Sequence, residues 1–145
     1  MENTDTEQVQ ILRKEDTGIL SETKMMHECM IALSERGYKV FRTNVGKVRM
    51  HDGRWFDTGL PKGHSDLYGF GHDGKIFYVE TKVKPNRPTD EQILFLHAMI
   101  QSGAYGGIAY SPDDAVGIAE GRPEYAEDIE QSYKRLCERK RPERK

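Results

Sequence analysis

Two cysteines, Cys29 and Cys137, are all that the 145 residues contain. That excludes a disulfide framework and a four-cysteine zinc site, and makes a reducing, cytoplasmic compartment the expectation. The five histidines, His27, His51, His64, His72 and His97, lack the H-x₃-H spacing of a zinc helix. No apolar run approaches the roughly 20 residues that span a bilayer. The first residues lack the basic-then-apolar pattern of a secretory signal, so no membrane partner is expected. An excess of charge is missing too, with 22 Lys+Arg against 24 Asp+Glu and a net charge of −2. Taken at face value, that balance argues against a nucleic-acid partner.

The balance hides segregation. Residues 1–23 carry a net −4 and residues 91–133 a net −7, whereas residues 24–60 carry +3, residues 61–90 +1 and residues 134–145 +5. Basic surface is therefore expected at the middle of the chain and at its tail. Residues 1–20 show no consistent period and are expected to form a flexible arm. The domain proper is expected over 21–122, followed by a C-terminal helix and basic tail over 123–145.

Ser21 is placed to cap a helix whose apolar positions Met26, Cys29, Met30 and Leu33 fall at i, i+3, i+4 and i+7, ending at Gly37. Tyr38–Asn44 alternates as a strand, and Asp52-Gly53 can turn a hairpin between Val48–Met50 and Trp55–Phe56. Leu67–Phe70 and Lys75–Val83 are strands joined around Asp73-Gly74. Thr89-Asp-Glu-Gln92 has the form of a capping box, opening a helix with Ile93, Leu96 and Ile100 on one face and stopping at Gly103. Gly107–Tyr110 reads as a buried strand, Asp113–Ala119 as a short helix and Pro123 onward as a last helix. This order predicts an α/β (α+β) fold with a mixed central sheet flanked by helices.

The chemistry gathers around Asp66, Glu80 and Lys82. Side chains alternate on a strand, so Glu80 and Lys82 share a face while Thr81 points away. Antiparallel pairing about Asp73-Gly74 brings Asp66 toward Glu80. Two carboxylates beside a lysine suit a hard cation such as Mg²⁺ or Mn²⁺, with the Thr81 carbonyl as a further oxygen ligand. Charges in a run as apolar as Phe77–Val83 call for a reason. Solvated ion pairing is the plain alternative.

Asp66 followed by Glu80-Thr81-Lys82 resembles the PD-(D/E)xK nuclease signature, with Ser65 at that motif's variable position. Four stretches in order resemble the virus-type replication-repair nuclease (VRR-NUC) domain: Arg42-Thr-Asn44-Val-Gly46, Gly63-His-Ser-Asp66-Leu-Tyr-Gly69, Val79-Glu-Thr-Lys82, and Gln92 followed by Gly103-Ala-Tyr-Gly106-Gly. The resemblance covers about residues 21–120 and is nearest to short, stand-alone phage or prophage members. It implies a restriction-endonuclease-like core and metal-dependent cleavage of DNA, often at branched structures such as Holliday junctions or flaps, by a homodimer. Asp66 and Glu80 would be metal ligands, Lys82 the catalytic lysine and Gln92 an active-site helix residue. Gln92 also has a purely structural reading, as the third residue of the capping box. The family's polar residue on the first helix aligns with Met26, a departure that leaves Glu22 and Glu28 as candidate acids.

Arg42, Asn44, Lys47, Arg49 and Arg54 form a basic, loop-rich segment fit for phosphate contacts, with Ser65 beside the site as a further contact. The leading expectation is thus a metal-dependent endonuclease acting on branched DNA. Two rivals stay open: a restriction-type duplex endonuclease, and a DNA-binding module that keeps the fold without the chemistry.

Overall fold

The computed structural model describes residues 17–44 and 47–140. Most of the expected arm, the 141–145 end of the basic tail, and Val45-Gly46 of the first motif lie outside them. Helix α1 (Thr17–Glu35) begins before the Ser21 expected to cap it. One glycine, Gly18, costs a helix only about 1 kcal/mol, so Ser21 is simply carried inside it. Met26, Cys29 and Leu33 are buried along one face, as their spacing predicts. Gly37, at φ +82°, ends the helix in the left-handed region.

Six strands follow: β1 (Lys39–Arg42), β2 (Lys47–Arg49), β3 (Trp55–Asp57), β4 (Leu67–Phe70), β5 (Ile76–Thr81) and β6 (Tyr105–Ala109). Three helices complete the fold: α2 (Asp90–Gln101), between β5 and β6, then α3 (Pro112–Ala119) and α4 (Pro123–Arg139). The main sheet has the order β1-β4-β5-β6, antiparallel except for the parallel β5–β6 pair. Strands β2 and β3 form a separate antiparallel hairpin. Strand β1 is shorter than the Tyr38–Asn44 expected. Its ladder stops where Arg42 meets Leu67, the first residue of β4, after which Thr43 N–H donates to the Asp66 carbonyl at 2.9 Å.

The sheet is covered on both faces. Met26, Cys29 and Leu33 of α1 and Ala115, Val116, Ile118 and Ala119 of α3 pack with Leu67, Phe77 and Val79. On the other face Ile93 and Leu96 of α2 and Ile129 and Leu136 of α4 pack with Tyr78 and Ile108. Alternation along β5 therefore sends Phe77 and Val79 to one layer and Tyr78 to the other. Glu80, next in that alternation, is directed toward α2. Gly69 lets β1 and β4 approach, because a Cβ there would collide with the Lys39 carbonyl oxygen. No helix among the described residues is long and apolar enough to cross a membrane.

Candidate active site

The register Leu67↔Val79 puts Asp66, just before β4, opposite Glu80 near the end of β5. Asp66 N–H donates to Glu80 Oε2 at 3.2 Å, so the two carboxylates share one strand end. Thr81 then fixes the Asp66 side chain: its N–H at 3.2 Å and its hydroxyl at 2.7 Å both donate to Asp66 Oδ2. Oδ1 keeps no hydrogen-bond partner among the described residues. Strand alternation turns Thr81 from Glu80, as expected, yet its hydroxyl serves the neighbouring acid. No local pattern signals that contact, since a threonine in a strand is ordinary β-branched filler.

Glu80 is only 2% exposed. Gln92 Nε2 donates to its Oε1 at 2.8 Å, and Lys82 Nζ lies 3.7 Å from the same oxygen. The two readings of Gln92 turn out to be compatible. Its Oε1 accepts from Thr89 N–H at 2.9 Å, and its own N–H donates to Thr89 Oγ1 at 3.2 Å, which closes the capping box. One side chain thus ties the start of α2 to the acid on β5.

Burial pushes the Glu80 carboxyl up to about 8, and the charge of Asp66 pushes in the same direction while Lys82 pulls back. With both acids ionised, Asp66 and Glu80 carry more negative charge than Lys82, 3.7 Å from Glu80, offsets, and a divalent cation would relieve it. Asp66 and Glu80 offer oxygen donors, the kind that Mg²⁺ and Mn²⁺ prefer. No cluster of three or more His, Cys, Asp or Glu able to hold a metal occurs among the described residues. Two carboxylates fit Mg²⁺ well, since it keeps several waters and accepts phosphate oxygens at its remaining positions.

The cleft has a volume of about 290 Å³ and is lined by Glu22, Met26, Arg42, Asp66, Glu80 and Lys82, with Thr23, Thr81 and Gln92. Of the two candidate acids on α1, Glu22 lines it, held by Asn86 Nδ2 donating to its Oε1 at 2.7 Å. Glu28 is half-buried, does not line the cleft and pairs with Lys24 at 3.8 Å instead. Arg42 reaches this cleft and, with Asn44, His64 and Tyr78, lines an adjoining one of about 360 Å³. Lys47 and Arg49 lie apart from both clefts, on the hairpin.

Ser65 is a correction. It is fully buried, and its hydroxyl donates to the Leu67 carbonyl at 2.8 Å, so it braces the turn into β4 and has no surface to offer DNA. His64 is likewise engaged, with Nδ1 2.9 Å from the Ser65 carbonyl and its ring against Phe95 at 4.4 Å between centroids.

These elements define a PD-(D/E)xK-type core: a mixed sheet between helices, with an aspartate before one strand and Glu-x-Lys ending the next. No family model matches the sequence, and no curated protein matches it. A solved structure described as a VRR_NUC domain is similar over 70% of this chain and 96% of that one, at 19% identity and a TM-score of 0.50. The chain accordingly has the VRR-NUC fold.

Proposed function

We propose that this protein is a divalent-metal-dependent DNA endonuclease that hydrolyses phosphodiesters in branched DNA. The observation that carries the reading is the Asp66–Glu80 pair at one strand end, its Glu80 buried and Lys82 Nζ 3.7 Å from Glu80 Oε1. An apolar strand does not keep such a group for stability, because burying it is unfavourable.

Asp66 and Glu80 would hold Mg²⁺ or Mn²⁺, with the Thr81 carbonyl as a candidate third donor. The cation supplies Lewis-acid chemistry, drawing charge from the phosphodiester and acidifying water. Thr81 and Gln92 keep the two carboxylates aimed, one through Asp66 Oδ2 and the other through Glu80 Oε1. Lys82 Nζ orients the attacking water and offsets charge as it grows on the phosphate. Water adds across one P–O ester bond, leaving a phosphate monoester on one end and a hydroxyl on the other. Arg42, at the rim, and Asn44, Lys47 and Arg49 beyond it supply phosphate contacts.

A two-fold dimer would present two such sites to a symmetric junction, which is the assembly we assign to it, in a cytoplasmic setting. The test is cleavage of a four-way junction, a flap and a linear duplex, with Mg²⁺, with Mn²⁺ and with a chelator, beside the measured mass in solution. Metal-dependent cutting of the branched substrates is expected, abolished by Glu80→Gln. Cutting that survives Glu80→Gln sinks the assignment. Equal cutting of the plain duplex sinks the branch preference.

A further inference from the structure

The chain between Thr43 and Asp66 leaves the main sheet and returns to it at the candidate site. Its base is clamped there, with the Thr43 hydroxyl donating to the Asp66 carbonyl at 3.0 Å and also to that of Ser65. What projects from this base is the β2–β3 hairpin. It is turned by Gly53 at φ +86° and braced by an Asp52–Arg54 ion pair of 2.6 Å. Among the described residues, neither strand packs extensively on any other helix or strand.

A free two-stranded hairpin should be polar, since it has no core to bury. This one carries Trp55, 63% exposed, and Phe56, 56% exposed. The register Arg49↔Trp55 and Lys47↔Asp57 places Lys47, Arg49 and Trp55 on one face. Arg49 Cζ stands 5.8 Å from the Trp55 ring centroid. Neither Lys47 nor Arg49 forms an ion pair among the described residues. Asp57, the acid on that face, accepts from Gly59 N–H at 2.9 Å instead. An open aromatic ring beside two free cations is complementary to a nucleobase flanked by phosphates.

We propose that the β2–β3 hairpin is a base-stacking element, in which Trp55 stacks on an unpaired nucleobase while Lys47 and Arg49 hold the adjoining phosphates. Rooted on Asp66, it steers the cleft toward DNA with unpaired nucleotides beside the scissile bond. This rests on the nuclease reading and goes beyond it, because a base in an intact duplex has no free face to offer Trp55. The hairpin therefore sets which substrates are cut, while the carboxylates do the cutting.

Trp55 is the single tryptophan of the chain, so intrinsic fluorescence reads this position alone. The full-length protein is titrated, without divalent metal, with a single strand, a blunt duplex and the same duplex bearing a single-stranded flap. Quenching by the single strand and the flapped duplex, with little change for the blunt duplex, is expected. By anisotropy of labelled DNA, Trp55→Ala should weaken binding to flapped DNA roughly 5- to 100-fold, with duplex affinity held within about twofold. Trp55→Phe should recover most of the loss, and the melting curve of Trp55→Ala should overlay the parent's. Binding of flapped DNA without quenching overturns the proposal. So does a blue shift that grows with protein concentration in the absence of DNA, which would put a second copy over Trp55. Cleavage with Mg²⁺ or Mn²⁺ is read in parallel. If parent and Trp55→Ala cut flapped DNA equally, the stacking role fails and the nuclease reading stands. If quenching is seen but neither metal supports cutting, stacking stands and the nuclease reading fails.

Discussion

Gln92 Nε2 donates to Glu80 Oε1 at 2.8 Å from the first turn of α2, while the other end of the same amide caps that helix. The two jobs separate by mutation. Thr89→Ala removes the cap hydroxyl but leaves Gln92 on Glu80, so it should cost about 1 kcal/mol of stability with little change in cleavage rate. Gln92→Ala should cost a similar amount of stability and lower the cleavage rate roughly 10- to 100-fold. Thermal melts beside single-turnover cleavage decide it, and equal activity of the two variants would remove Gln92 from the site.

The raised Glu80 carboxyl makes stability depend on pH in a defined direction. Between its ordinary value of 4.5 and its folded value of about 8, the folded protein holds a proton that the unfolded chain has released. The associated stability is therefore present in full below 4.5 and is lost as pH rises through 8. Urea midpoints measured without metal should fall across that window, and Glu80→Gln should flatten the fall. A slope unchanged by Glu80→Gln would contradict the assignment.

Metal should reverse that loss. A cation that binds the folded pair alone adds about 2.7 kcal/mol when present at a hundredfold its Kd. Mn²⁺ or Mg²⁺ at pH 8 should raise the melting temperature of the parent, and a chelator should return it. Neither Asp66→Asn nor Glu80→Gln should show the full rise. The parent failing to respond would argue against a metal at these two acids.

Thr81 offers a test of aim rather than of charge. Thr81→Val keeps the β-branched shape and deletes the hydroxyl that holds Asp66 Oδ2. The expected cost is about 1 kcal/mol in stability and roughly 10- to 100-fold in cleavage, with Thr81→Ser restoring the rate. A Thr81→Val variant at full activity would show that the Thr81 N–H alone positions Asp66.

Legibility in the sequence followed the range of the interaction. Strands β4 and β5 and their turn were readable because alternation and Asp73-Gly74 are local signals. The same register brought Asp66 to Glu80. Strand β6 begins at Tyr105, two residues before the Gly107 expected, and carries Gly106 and Gly107 inside it. Their real office is clearance: a Cβ on Gly107 would come within 2.9 Å of Ile118 and Tyr125 side chains, and one on Gly106 within 3.3 Å of Ile100. Choosing Glu22 over Glu28 needed Asn86, 64 residues away in sequence, whose position no local pattern encodes. The burial of Ser65 was hidden for a similar reason, since its neighbours are supplied by other elements.

The short connection around Asp73-Gly74 also bears on the order of folding. It brings Asp66 and Glu80 together across 14 residues, whereas Asn86 reaches Glu22 across 64. Closing the shorter loop has the lower entropic cost, so the repelling pair meets before α1 can contribute to the cleft. The chain thus installs its electrostatic conflict in an early hairpin. Glu80→Gln removes that repulsion, so its stopped-flow refolding at pH 8.5 should be faster than the parent's.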